Sequence, residues 1–201
     1  MKPFFIKRIV NSIFGSNTFV IYNLLNEQFW IIDPGDVNDV LILSDSIGKK
    51  VFGVLLTHTH FDHIYGLNKL LEHNPDLIVY VGKEDRDALF SSKMNMSKYH
   101  EEGEFIFNGS NVVSVSEGEL ISLFDDIDAK VIEVPGHTPG CIAYKIEDYL
   151  FTGDAYIPGH DVVTLLPRAN KIKAKDSWKR INEMLKSENV KLFPGHGEID
   201  L

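Results

Sequence analysis

Apolar residues recur along this chain in short runs, many of them closed by asparagine, aspartate, glycine or proline. Runs of this length rich in Val, Ile and Phe predict strands, here over 4–10, 18–25, 28–32, 51–56, 77–81, 112–115, 120–123, 131–134, 141–146, 149–151 and 190–193. Turn residues punctuate them at Gly15-Ser16-Asn17, Asp33-Pro34-Gly35 and Glu147-Asp148. Elsewhere the period lengthens. Val37, Val40, Leu41 and Ile47 make a helical stripe with Asp36 as N-cap and Gly48 as stop. Ile64, Leu67, Leu70 and Leu71 make a second over 64–72, ended by Asn74-Pro75, and Trp178, Ile181, Met184 and Leu185 a third. Residues 83–111 mix charged, small and apolar side chains without clear period beyond a short helix at 84–90, and their pattern assigns them no role. Strands and helices interleave without repeat or linker. The expectation is an α+β fold of two sheets flanked by helices, with 1–201 as a single domain.

Composition narrows the class. The 201 residues, 44% hydrophobic, suffice for a sizeable core. The net charge of −9, from 29 acidic and 20 basic residues, disfavours general binding to nucleic acid or to an anionic membrane. Cys141 is the single cysteine, which excludes an intramolecular disulfide and a Cys-rich zinc site. The first ten residues are interrupted by charge where a secretory segment would be apolar, and no run approaches membrane-spanning length. A cytoplasmic protein acting on a small molecule is expected.

The chemistry concentrates in Thr57-His58-Thr59-His60-Phe61-Asp62-His63, which places three imidazoles and a carboxylate between a strand and a helix. In extended backbone His58 and His60 point to one side and can reach one metal ion, while Asp62 and His63 follow the turn and can serve a second. Imidazole with carboxylate suits Zn, and also Fe or Mn. Three later motifs each place a metal-capable residue just after a predicted strand and beside glycine: Gly136-His137, Gly153-Asp154 and Gly195-His196.

In order and spacing, these motifs resemble the signature of the metallo-β-lactamase superfamily, from His58 to His196. The resemblance implies an αβ/βα sandwich with its site on one edge between the sheets. It implies one metal on His58, His60 and His137, another on Asp62, His63 and His196, and Asp154 bridging the two divalent ions, with Zn the leading metal. The implied activity is cleavage of a small thioester, ester or lactone by a metal-bridging hydroxide, with Asp62 also holding the nucleophile's proton. Asp154 is similar to the bridging acid of the glyoxalase II, lactonase and phosphodiesterase branches, and β-lactamases lack that bridge. The glyoxalase II match is partial. Ile64-Tyr65-Gly66 replaces the Gly-Gly after the histidine motif, and with five residues after His196 the helical glutathione domain of that family is not expected here. The alternatives are a mononuclear iron persulfide dioxygenase-like enzyme and a phosphodiesterase of the same superfamily.

Supporting residues can also be proposed. Asp33 follows a strand end and can orient a ligand histidine. Tyr156 and Arg168 are the candidate substrate contacts, Arg168 heading a basic run with Lys171, Lys173 and Lys175. Of His73, His100 and His160, only His160 is expected to approach the site, and Cys141 is expected to be a small core residue.

Overall fold

The computed structural model describes residues 4–199. Six strands form the first sheet in sequence order: β1 (Phe4–Val10), β2 (Asn17–Asn23), β3 (Gln28–Ile32), β4 (Lys50–Leu55), β5 (Ile78–Gly82) and β6 (Val112–Val115). The first three are antiparallel neighbours, and β3 through β6 are parallel. The second sheet runs β11-β10-β9-β8-β7, built from β7 (Leu120–Phe124), β8 (Ile127–Glu133), β9 (Ile142–Ile146), β10 (Tyr149–Gly153) and β11 (Lys191–Pro194). The helices are α1 (Val37–Ile47), α2 (Leu67–His73) and α3 (Lys171–Ser187).

Side-chain alternation explains the layers. In β2, β3 and β4, Val20, Ile31 and Val54 face the apolar layer shared with α1 and α2. Their neighbours Phe19, Ile21, Trp30, Ile32 and Leu55 face Ile121, Val131, Tyr144, Phe151 and Phe193 of the second sheet. The far side of that sheet buries Ile132, Ala143 and Leu150 against Ile181 of α3. Helix, sheet, sheet and helix are therefore stacked, which is the αβ/βα sandwich of two mixed sheets.

Local chemistry moves several boundaries. β2 stops at Asn23 because that side chain accepts hydrogen bonds from the Leu25 and Asn26 amides, leaving Leu24 and Leu25 exposed. Asp36 does precede α1, but its carboxylate caps nothing there and instead accepts from Ser12 and the Tyr65 hydroxyl. Gly48 ends that helix in the left-handed conformation. A 3-10 turn at Phe61–His63 precedes α2, so the helix expected from residue 64 begins at Leu67. The short helix at 84–90 is a 3-10 segment, Lys83–Phe90. α3 begins at Lys171 because the Asn170 side chain accepts from the amides of Ile172 and Lys173.

Topology places the site. β3 and β4 are parallel, so Asp33 and the 57–63 segment leave the first sheet at the same edge. β8 and β10 both run against β9, and β11 runs with β10, so His137, Asp154 and His196 follow strands that share one direction. The edges are tied together where Ile142 N donates to Thr57 O at 2.8 Å and Asn17 N to Gly195 O at 2.7 Å.

Candidate metal centre

Seven side chains meet between the two sheet edges. His58, His60 and His137 bring ring nitrogens within 4.8 Å of one another, and Asp62, His63 and His196 do the same with a carboxylate oxygen and two ring nitrogens. Asp154 lies between the sets. Its Oδ1 is 3.5 Å from His63 Nε2, and its Oδ2 is 3.6 Å from His137 Nε2 and 3.5 Å from His196 Nε2. Asp62 Oδ2 is 3.3 Å from His63 Nε2 and 3.2 Å from His196 Nε2.

The surrounding oxygens aim these rings. His63 Nδ1 faces Asp33 Oδ2 at 3.1 Å, His137 Nδ1 faces the Val163 carbonyl at 2.9 Å, and His196 Nδ1 faces the Phe14 carbonyl at 3.2 Å. His58 Nδ1 lies 3.1 Å from Thr57 Oγ1, whose hydroxyl donates to Asp33 Oδ2 at 2.5 Å. In the neutral ring an acceptor at Nδ1 selects that nitrogen as the N–H, which leaves Nε2 of all four rings to face the centre and ligate a cation there. His60 differs, turning Nδ1 toward His137 Nε2 at 2.8 Å.

These residues fit a cation. His58 Nε2 and Asp154 Oδ1 are buried and have no hydrogen-bond partner among the described residues. A buried lone pair and a buried carboxylate oxygen left without a donor are costly, and a divalent ion satisfies both. Glycine makes the convergence possible. A Cβ at Gly195 would stand 2.3 Å from Asp154 Oδ1, and one at Gly153, where φ is 51°, would stand 2.3 Å from Thr57 Oγ1.

The electrostatics divide the histidines. Burial, reinforced by the neighbouring imidazoles His63, His137 and His60, lowers His58 well below the usual histidine range. Burial, with His137 beside it, lowers His60 to about 3. Burial also opposes the charged forms of His63 and His196, but carboxylates outweigh it and both are raised. Asp62, Asp154 and Asp33 act on His63, and Asp62 and Asp154 act on His196. Asp62 is lowered despite burial, through the charge of His63 and hydrogen bonds from His196 and His63.

Two expected substrate contacts lie elsewhere. The Tyr156 ring stacks on Trp178 of α3, with centroids 5.8 Å apart, and packs against the apolar cluster between that helix and the second sheet. The Arg168 guanidinium donates to the Glu84 carbonyl at 2.7 Å and to Asp85 Oδ1 at 3.2 Å, drawn there by a buried carboxylate. His160 is exposed and outside the cleft, whereas His100 lines it, packed edge-on to Phe14 and against Phe61. Cys141 is buried, and burial with the Asp85 charge nearby pushes its thiol up, as suits a core residue. The cleft walls supplied by Phe14, Met96, Tyr99, Val163 and Leu166 carry no sequence signal, because all five come from loops or short turns.

Comparison with known proteins agrees with this geometry. The family model of the metallo-β-lactamase superfamily matches residues 12–196. A hydroxyacylglutathione hydrolase of Pectobacterium atrosepticum is 37% identical over 124 residues, covering 62% of this chain and 41% of that protein. The chain spans about 40 to 50% of the length of the first such hydrolases it matches. A protein of Streptococcus pyogenes named "Probable metallo-hydrolase" is 30% identical over 206 residues, 96% of this chain and 83% of its own length. Among solved structures, a B3 metallo-β-lactamase superposes with a TM-score of 0.86 at 24% identity, covering 98% of this chain and 93% of that one. A protein crystallised in a di-iron-bound form superposes with a TM-score of 0.79 at 26% identity, covering 96% and 92%.

Proposed function

The chain belongs to the metallo-β-lactamase superfamily, and from that premise we propose that it is a dinuclear metal-dependent hydrolase of a small thioester, ester or lactone. One observation carries the reading. Asp154 faces ring nitrogens of both three-residue sets while its buried Oδ1 has no hydrogen-bond partner among the described residues. His58, His60 and His137 would hold one cation, and Asp62, His63 and His196 the other, with Asp154 shared between them. Such a pair of ions supplies hydroxide near neutral pH and polarises a substrate carbonyl.

The chain's own groups do the rest. Asp33, Thr57 and the Val163 and Phe14 carbonyls keep Nδ1 of four histidines protonated and turned outward. Asp62 lies on the cleft wall, where its carboxylate can accept a hydrogen bond from an attacking water and hold that proton as the water reacts. Zn is the metal we propose, since imidazole and carboxylate suit it. Iron is the second choice, supported by the di-iron-bound neighbour.

The test is metal content per chain after purification without added metal, alongside turnover of acyl-glutathione, lactone and phosphodiester substrates. Two zinc-type ions with thioester, ester or lactone cleavage support the reading. One iron with oxygen uptake on a persulfide would replace it by the dioxygenase. Cleavage of the phosphodiester alone would replace it by that branch.

A further inference from the structure

We propose that the cleft beside the histidine–aspartate cluster is an apolar acyl pocket, so that the preferred substrate carries an uncharged, apolar acyl or ring group. The substrate bond named here rests on the hydrolase reading; the apolar pocket itself does not. The cleft holds about 440 Å³ and opens directly onto His60, Asp62, His137, Asp154 and His196, a volume within the usual range for small-molecule sites. Away from those groups its walls are Phe14, Phe61, Met96, Tyr99, Val163 and Leu166, with the His100 ring set edge-on to Phe14 and against Phe61. Among the described residues no lysine or arginine lines it, and Arg168, the anion anchor expected from the sequence, is held by Glu84 and Asp85. A carboxylate on the substrate's tail would therefore lose its water against phenyl, thioether and branched aliphatic groups and find no guanidinium or ammonium in return, His100 being the one basic ring among those walls.

The backbone indicates that these walls are held in place by design of the fold. Met96 has φ 71° and Phe14 has φ 53°, left-handed conformations that a bulky side chain adopts only when its surroundings over-determine them. Around Met96 they do. Buried Asn95 donates from its side chain to Phe105 O at 3.0 Å, accepts from Ser97 N at 3.0 Å, and its carbonyl accepts from Phe61 N at 2.9 Å. Around Phe14 the constraint is His196, whose Nδ1 meets the Phe14 carbonyl, while Phe14 leaves 71% of its surface exposed at the cleft rim. Glycine or asparagine would suit either backbone better, so the side chains are what the positions supply. Methionine, flexible and polarisable, adapts to aliphatic and aromatic ligands alike.

Two experiments test the pocket. With the metal-loaded full chain, kcat/KM for p-nitrophenyl esters should rise about two- to fourfold per added methylene from acetate toward octanoate. An ω-carboxylate on the longer chain should abolish the gain. Met96→Gly, which accepts φ 71° without strain and so preserves the turn, should flatten the dependence, as should Leu166→Glu. A rate independent of chain length, or a preference for the anionic ester, would overturn the proposal. The second experiment needs no metal. The chelator-treated chain should bind the uncharged fluorophore N-phenyl-1-naphthylamine and release it to straight-chain alcohols more readily as they lengthen, with about tenfold weaker binding in either variant. If no ester, thioester or lactone is turned over, the hydrolase reading fails, and the fluorophore alone decides the pocket. Absence of binding, or binding unchanged by both variants, overturns it.

Discussion

His63 and Asp33 are paired deep between the sheet edges, Nδ1 to Oδ2 at 3.1 Å, with the histidine side chain fully buried and the aspartate nearly so. The same carboxylate accepts from the Thr57 amide at 2.8 Å and the Thr57 hydroxyl at 2.5 Å, and that hydroxyl meets His58 Nδ1. One residue thereby orients a histidine from each proposed metal set. Asp33 sits at φ 52°, which asparagine tolerates, so Asp33→Asn should keep the turn. Its amide cannot accept as a carboxylate does. Metal affinity should fall about 10- to 100-fold, read by competition with a chromogenic chelator. Affinity equal to that of the parent would remove Asp33 from the orienting role.

Asp154→Asn removes a charge that faces both sets of histidines. An amide can still occupy the space, so packing should survive. The expected outcome is loss of one of two ions per chain and a fall in turnover of about 10²-fold or more, measured by metal analysis and hydrolysis on the same sample. Parent stoichiometry with parent turnover would show that Asp154 bridges nothing.

Asp85 is fully buried and accepts from the Thr138 hydroxyl, the Gly140 amide at 3.2 Å and Arg168. Asp85→Ala would strand three donors next to His137. A loss of about 3 kcal/mol is expected from denaturant unfolding, since removing one member of a buried charge network leaves the rest unpaired. A change below about 0.5 kcal/mol would mean that water replaces the carboxylate without cost.

The metal-free chain should be most stable near pH 6.5. Below the ordinary histidine value of 6.5, the unfolded chain takes up protons at His58 and His60 that the folded chain, with lowered values there, does not. Stability therefore falls as pH drops. His63 and His196 are raised, so their contribution is complete below 6.5 and is lost as pH climbs through their folded values. Thermal midpoints of the chelated protein from pH 5 to 9 should trace a maximum. Saturating zinc, which takes neutral imidazole, should remove the decline on the alkaline side. A midpoint that rises steadily from pH 6 to 9 without metal would contradict the assignment of His63 and His196.

Much of this molecule could be read from short-range pattern. Strands and helices announce themselves by period, and β4 running into Thr57–His63 announces a strand-end cluster, because neighbouring residues on one turn share one environment. The histidine and aspartate positions were visible because each candidate ligand stands beside glycine or within the 58–63 cluster. What tertiary structure decided was direction and company. Arg168 and Tyr156 look equally available along the chain, but the former is captured by Asp85, a residue inside an unremarkable charged run, and the latter by Trp178. Met96, Tyr99 and His100 come from a stretch without period, because its order rests on side-chain hydrogen bonds from Asn95 and Ser97 rather than on a repeating ladder. Phe14 reaches the same cleft from the opposite end of the chain only because the β1–β2 turn is bridged to His196. The sequence thus determined which residues could do chemistry, since that is a property of side-chain type and local spacing. The walls that select what reaches them depend on contacts between residues far apart in sequence, and these exist only once the two sheets have packed.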